Sequence, residues 1–216
     1  MAKADPAGSG KRTTPRRSPA REERRRDPER SRARLLAAAL DEFSAKGFAG
    51  ARVVDIAARA GLNKQLIPYY FGGKEGLYRA LEQQWLESEV ELAPDEAPLE
   101  ELTRAHLQAV LEDARHSRLL LWEGLTGSAS RADDPSVSQQ DPAVADMRRR
   151  QQRGELAEDL DVAMVLVALM GATLAPVSIP QVVRRSTGLD PWDPLFKVRY
   201  AELLQRIVRL LAAPEG

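Results

Sequence analysis

A chain of 216 residues with 43% hydrophobic content is long enough for a small unit joined to a larger one, and its composition is that of an ordinary globular protein. It contains no cysteine, which excludes a disulfide framework and a thiolate metal site. The formal net charge of zero conceals a division: residues 1–80 carry 18 Lys and Arg against 9 Asp and Glu, whereas residues 81–216 carry 14 against 23.

Residues 1–26 are rich in Arg, Pro, Gly and Ser and too poor in apolar side chains to offset the entropy of ordering, so a flexible basic arm is expected. Its cluster Arg24 to Arg26 either enters a minor groove, adds non-specific phosphate attraction, or serves only to keep the chain soluble. The arm lacks the apolar run of a secretory signal, and a cytoplasmic location is the expectation. Asp27-Pro28 reads as an N-cap followed by proline in the first helical position, where its missing amide costs nothing. The helix so started is predicted to run to about Lys46, to turn Leu36, Leu40 and Phe43 inward, and to be closed by Gly47.

Residues 52–78, RVVDIAARAGLNKQLIPYYFGGKEGLY, read as two brief helices joined by a turn and followed by a third. The first spans about Val53 to Ala60, where the small Ala57 and Ala60 allow close approach, and Gly61 supplies the left-handed exit. Asn63 is a preferred N-cap for a second helix from about Lys64 to Tyr70. Helical spacing groups Ile56, Leu62, Ile67 and Phe71 as core and leaves Lys64, Gln65, Leu66, Tyr69 and Tyr70 for a partner. A DNA major groove admits one such helix. Gln65 can pair with adenine and Leu66 can touch a thymine methyl, while Arg52, Lys64, Lys74 and the hydroxyls of Tyr69 and Tyr70 suit phosphates. Any two short amphipathic helices about a glycine share the bare pattern; its coincidence with the basic part of the chain singles this one out.

Gly72-Gly73 bend the chain into a fourth helix, Lys74 to about Leu92, whose Leu77, Leu81 and Trp85 should join head to body. GGKE lacks the spacing and terminal Ser or Thr of a phosphate-binding loop. The acidic, proline-bearing stretch from Pro94 to Pro98 is the expected hinge, and Leu99 to Gly127 reads as two helices divided near His116-Ser117. Residues 128–141 read as a loop. Pro142 then begins a helix whose basic cluster, Arg148 to Arg150 and Arg153, reads as a solvated face, with an interface or ligand role as the alternative.

The stretch from Val162 to Ile179 carries no charge, yet its helical part before Pro176 would span only ~20 Å of a ~30 Å hydrocarbon core, so no membrane span is expected. The last long helices are predicted at about Asp159 to Leu174 and Pro194 to Ala212. Ala163, Val167, Met170 and Gly171 form an apolar stripe on the first, and Leu203, Leu204, Ile207, Val208, Leu210 and Leu211 make the second too apolar to be covered from one side. Such helices suit a four-helix homodimer interface, the alternative being a monomeric core. Catalytic chemistry is poorly represented: the two histidines, His106 and His116, have no metal or triad spacing, and GLTGS at 124–128 lacks the central serine of a nucleophile elbow. No cofactor and no metal are expected.

The segments RARLLAAALDEFSAKGF and DIAARAGLNKQLIPYYFGGKEGLYRA, within Arg32 to Ala80, resemble the N-terminal domain of the tetracycline-repressor-like (TetR) family. The motifs in register are the Ala-rich helix ending in Phe43 and Gly47, DIA..AG at 55–61, YYF at 69–71 and KEGL at 74–77; SIPQVVRRSTGLDPWDPLF resembles the C-terminal region of some members. Pro68 and Arg52 depart from the family pattern, which usually has tyrosine and often threonine there, and Pro68 is expected to bend the second helix. The resemblance implies an all-α protein with a helix-turn-helix domain at 27–80 and a helical ligand-binding and dimerisation domain at 81–216. It implies a homodimer that binds double-stranded DNA at a near-palindromic site through Arg52, Asn63, Lys64, Gln65, Leu66, Tyr69, Tyr70 and Lys74. A small molecule of unknown identity would release it, held in a pocket walled by Trp85, His106, Trp122 and Glu123. An activator or a ligand-independent architectural protein would share the same head, and a helical enzyme is the remote alternative.

Overall fold

The computed structural model describes residues 21–92, 97–126 and 141–212, and all regular structure among them is α-helical. The helices are α1 (Arg21–Gly50), α2 (Val53–Ala60), α3 (Leu66–Phe71), α4 (Lys74–Leu92), α5 (Leu99–Glu112), α6 (Arg115–Thr126), α7 (Pro142–Gln152), α8 (Val162–Ser178), α9 (Pro180–Thr187) and α10 (Pro194–Leu210).

Helix α1 starts before its expected N-cap. It begins at Arg21 and runs through Pro28, because the preceding REERRR consists of good helix formers. Residues 1–20 of the expected arm lie outside the described residues. Gly47 breaks the helix with φ 68° and ψ 173°, so the expected stop at Lys46 holds although a further turn follows to Gly50. Helices α2 and α4 occupy their expected spans.

Leu35, Phe43, Ile56, Ile67, Leu77 and Leu81 are buried together in the core shared by α1 to α4. Leu119 of α6 belongs to the same cluster, and α4 runs unbroken past residue 80, so head and body are joined by packing as well as by chain. In the body, α5 packs against α8 and α10, α7 against α8, and α6 lies between α1 and α8.

Several expectations need correction. The α5–α6 break falls at Asp113-Ala114 and not at His116-Ser117, because Asp113 leaves the helix in an extended conformation and its carboxylate accepts the Arg115 amide at 3.0 Å, starting the next helix. Of the expected hinge, Pro94 to Pro98, residues 94–96 lie outside the described residues, as do 128–140 of the loop expected at 128–141. Helix α8 is capped by Asp161 and continues through Pro176 to Ser178, and α9, unforeseen, follows after an 84° bend. Among the described residues no single helix is long and apolar enough to cross a membrane. Helix α10, capped by Asp193, ends at Leu210, two residues short of its expected end at Ala212.

The basic cluster of α7 is not uniformly a solvated face. Arg148, Arg149 and Arg153 are exposed, but Arg150 is fully buried. Its Nε donates to Asp146 Oδ2 at 2.6 Å, and its Nη1 donates to the Ala97 carbonyl at 2.6 Å and to Glu155 Oε2 at 3.2 Å. Glu155 Oε2 also accepts the Leu99 amide at 2.7 Å, so one guanidinium ties the start of α5 to α7.

Of the residues expected at a dimer interface, Val167, Met170, Gly171, Leu203 and Ile207 are exposed and Ala163 is half-buried. Leu204 is not available: it is 2% exposed and packs with Leu107 and Leu111 of α5. Leu211 is partly buried against the cluster containing Leu156, and its carbonyl accepts the Ala157 amide at 2.8 Å. Met164 and Val198, not singled out from the sequence, are exposed on the same two helices, as is Leu210.

Candidate nucleic-acid interface and cavity

Gly61 leaves α2 in the left-handed region at φ 62°, a backbone conformation that favours glycine. Asn63 then turns the chain. Its Oδ1 accepts the Gln65 amide at 2.9 Å and its carbonyl accepts the Leu66 amide at 3.0 Å, so Asn63, Lys64 and Gln65 form a turn and α3 starts at Leu66, two residues after its expected start. Pro68 is therefore the third residue of α3, inside the first turn, where an amide has no intrahelical partner to lose. The missing amide at Pro68 therefore gives no cause for the expected bend.

The later start also narrows the outward face. Ile67 is buried, and Leu66 and Tyr70 are partly buried against the head core instead of facing outward, as 3.6-residue periodicity about Ile67 requires. Leu62 and Phe71 lie partly buried on the same core, with the Arg32 guanidinium 4.6 Å from the Phe71 ring centroid. Asn63, Lys64, Gln65 and Pro68 are exposed, as is Tyr69 at 79%. Arg52 is exposed at the N-cap of α2, where Val54, missed in the sequence, is exposed as well. Lys74 is half-buried with Nζ 4.5 Å from the centre of the Phe48 ring. Gly76 lets α4 rise directly against the end of α3: a Cβ there would stand 1.7 Å from the Phe71 carbonyl oxygen.

Beside Leu119, the side chains of Trp122, Glu123 and Arg115 join this head to α6. Trp122 packs on Gly47 and its Nε1 donates to the Ser44 carbonyl at 3.3 Å. Glu123 accepts the Tyr78 hydroxyl at 2.5 Å, and burial together with that carboxylate pushes the Tyr78 phenol far above its ordinary range. Arg115 donates through Nη1 to Asp41 Oδ1 at 2.7 Å and through Nε to Asp113 Oδ1 at 2.8 Å. Hydrogen bonding from Arg115 holds the Asp113 carboxyl below the usual range, and Asp41 lies 3.8 Å from Arg59 of α2. Trp122 and Glu123, expected in a pocket wall, thus belong to the head–body joint.

A cavity of about 220 Å³ opens between α4, α5, α6 and α8, lined by Trp85, His106, Val110, His116, Met170 and Leu174 among others. Two of the four expected wall residues, Trp85 and His106, line it; His116 was missed because its place depends on where α6 begins. Nδ1 of His106 lies 2.9 Å from the Leu102 carbonyl, which can only accept, so Nδ1 carries the proton. Among the described residues Nε2 of His116 is buried without a hydrogen-bond partner, and burial holds that ring below its ordinary pKa of 6.5. A second cavity of about 320 Å³ lies between α5 and α10. Among the described residues no group of His, Asp and Glu could hold a metal ion.

An all-helical body carrying a compact head, whose glycine-jointed helices expose an ammonium, an amide and a phenol on one edge, defines a two-part helix-turn-helix DNA-binding regulator. The family model described as bacterial regulatory proteins, tetR family, matches residues 35–81, and that for the tetracyclin repressor-like C-terminal domain matches residues 98–194. The HTH-type transcriptional repressor SCO4008 of Streptomyces coelicolor is 33% identical over 166 residues, covering 76% of this chain and 86% of that protein. The HTH-type transcriptional regulator RutR of Escherichia coli K12 is 30% identical over 187 residues, covering 81% and 86%. The solved structure of SCO4942 from Streptomyces coelicolor superposes with a TM-score of 0.66 at 23% identity, covering 82% of this chain and 97% of that one. The chain belongs to the TetR family of bacterial transcriptional regulators.

Proposed function

We propose that the protein is a homodimeric repressor that leaves a near-palindromic operator when a small molecule enters the cavity between α4, α5, α6 and α8. The observation that carries this reading is the exposed edge Lys64, Gln65 and Tyr69, which lies outside the head core and in the basic part of the chain. Gln65 reads a base edge; Lys64, Arg52 and the Tyr69 hydroxyl meet phosphates, and Asn63 sets the turn that presents them. Leu66, Tyr70 and Lys74 contribute from half-buried positions at the edge of the same surface. Residues 27–80 act as the reading unit and 81–216 as the body, working in the cytoplasm where the DNA is.

Dimerisation is assigned to the exposed apolar side chains of α8 and α10, Met164, Val167, Met170, Leu203 and Ile207, with Ala163 and Gly171 allowing close approach. A two-fold axis through them sets the heads about one helical turn of DNA apart, ~34 Å or a multiple of it. A ligand that prefers an arrangement with the heads misplaced weakens DNA binding by its differential affinity, typically ~1 to 3 kcal/mol. The similarity to a relative named as a repressor favours that sign of regulation. Selection of bound duplexes from random DNA tests binding, symmetry and half-site spacing together; recovery of no enriched sequence at moderate salt would overturn the reading.

A further inference from the structure

We propose that the 220 Å³ cavity accepts a small, uncharged ring compound whose hydroxyl group meets Nε2 of His116. The inference rests on the cavity being the regulatory site of the preceding section and names the chemistry of its occupant.

The orphan nitrogen comes first. A buried polar atom without a partner is uncommon in a folded protein, and at a cavity wall its natural partner is whatever fills the cavity. Burial keeps the His116 ring neutral, so Nε2 offers a lone pair in one tautomer and a proton in the other. A hydroxyl can accept or donate and so satisfies either. His106, protonated at Nδ1 by its bond to the Leu102 carbonyl, contributes to the same wall a ring whose Nε2 accepts when the ring is neutral.

Charge comes second. Among the described residues Asp113 is the one carboxylate in the lining, and no lysine or arginine of theirs lines the cavity. Both Asp113 oxygens are already held by Arg115, through Nε at 2.8 and 3.0 Å and Nη2 at 2.5 Å. An anion entering the cavity would find no cation and would lie beside a carboxylate; a cation would find that carboxylate already paired. Either would lose hydration without compensation. An uncharged compound loses little.

Shape comes third. Trp85 and the two imidazoles supply flat faces, and Val110, Leu120 and Met170 supply aliphatic and thioether surface, a lining suited to an apolar ring. The volume lies below the usual range of roughly 300 to 1,000 Å³ for ligand pockets, which restricts the occupant to one ring or a small fused pair.

The test uses three probes of similar size with the full-length protein: 4-ethylphenol, 4-methylbenzoate and 4-methylbenzylammonium, titrated by calorimetry at neutral pH. The expected result is that 4-ethylphenol binds at least about ten-fold more tightly than either charged probe. His116→Phe should weaken 4-ethylphenol by about ten-fold while leaving the ligand-free melting temperature unchanged or higher, since it removes an unsatisfied atom. Equal or tighter binding of a charged probe, no binding of 4-ethylphenol at millimolar concentration, or an affinity indifferent to His116→Phe would each overturn the proposal. So would a lowered melting temperature in that variant, which would show the nitrogen already satisfied within the protein. DNA binding, measured in parallel, separates the two readings. Tight 4-ethylphenol binding with unchanged operator affinity refutes release by the cavity's occupant and leaves the ligand chemistry standing. Failure of the probe preference with sequence-selective DNA binding intact refutes only the chemistry.

Discussion

Replacing Arg150 by methionine removes a buried charge while keeping most of the side-chain volume, so the cost measured is chiefly that of the polar network. The Arg150 side chain is 1% exposed, and its loss leaves the Ala97 carbonyl without its donor and takes one partner from each of the Asp146 and Glu155 carboxylates, 21% and 24% exposed, which keep Arg149 and Arg153. Removing one partner of a buried ion pair typically costs ~3 to 5 kcal/mol. Because each carboxylate keeps an arginine partner and water reaches about a fifth of it, the lower end, about 3 kcal/mol, is expected. At roughly 2 to 4 °C per kcal/mol for a chain of this size, the melting temperature should fall by roughly 6 to 12 °C. Thermal unfolding followed by circular dichroism at fixed protein concentration measures it. Arg149→Met is the control: Arg149 is 54% exposed, its pair with Asp146 is at the surface, and its loss should cost about 1 kcal/mol or less. If Arg150→Met melts with the wild type, or no lower than Arg149→Met, the assignment of Arg150 as the tie between α5 and α7 is refuted.

Gln65→Ala should cost ~1 to 3 kcal/mol at mainly one base pair, whereas Lys64→Ala should weaken all sequences alike and lower the salt slope by roughly 1; quantitative binding to operator variants distinguishes them, and a uniform loss for Gln65→Ala would remove its base-reading role. Gly76→Ala, with its methyl forced toward the Phe71 carbonyl, should destabilise the head by at least ~1 to 3 kcal/mol, and an unchanged melting curve would contradict that close approach. Val167→Glu, on the exposed stripe of α8, should weaken self-association by at least about ten-fold in sedimentation velocity with the helical content intact; an undisturbed dimer places the interface elsewhere. The folded chain disfavours a proton on His116, so the stability this ring contributes is complete above its unfolded pKa of 6.5 and is lost as the pH falls below it. Melting temperatures across that window should show the decline in the wild type and a smaller one in His116→Phe.

Features set by local chemistry were legible in the sequence. The glycine exit at Gly61 and the span of α2 follow from residues within one turn of one another, and so does the start of α4 after Gly72-Gly73. Helix α9 has local signals too, Pro180 in its first turn and Gly188 at its left-handed exit, but its eight residues offer too short a period to stand out between two longer helices. What depends on distant partners could not be read. Arg150 stands in a run of three arginines, and only the Ala97 carbonyl and Glu155, brought together by packing, distinguish it from its neighbours. Leu203 and Leu204 are adjacent leucines, and which one turns inward is decided by Leu107 and Leu111 on another helix. In the candidate site the same limit applies: Trp85 and His106 fell in the cavity, whereas the angular phase of α6 sent Trp122 and Glu123 to the joint and His116 to the wall.

The division of labour around Pro68 has an evolutionary consequence. Lys64, Gln65 and Tyr69 project from the head without sharing in its interior, which Ile67 anchors from the other side. Replacements at those three places are nearly free of thermodynamic penalty to the scaffold, so a duplicated gene could acquire a new target sequence without first acquiring compensating changes inside the protein.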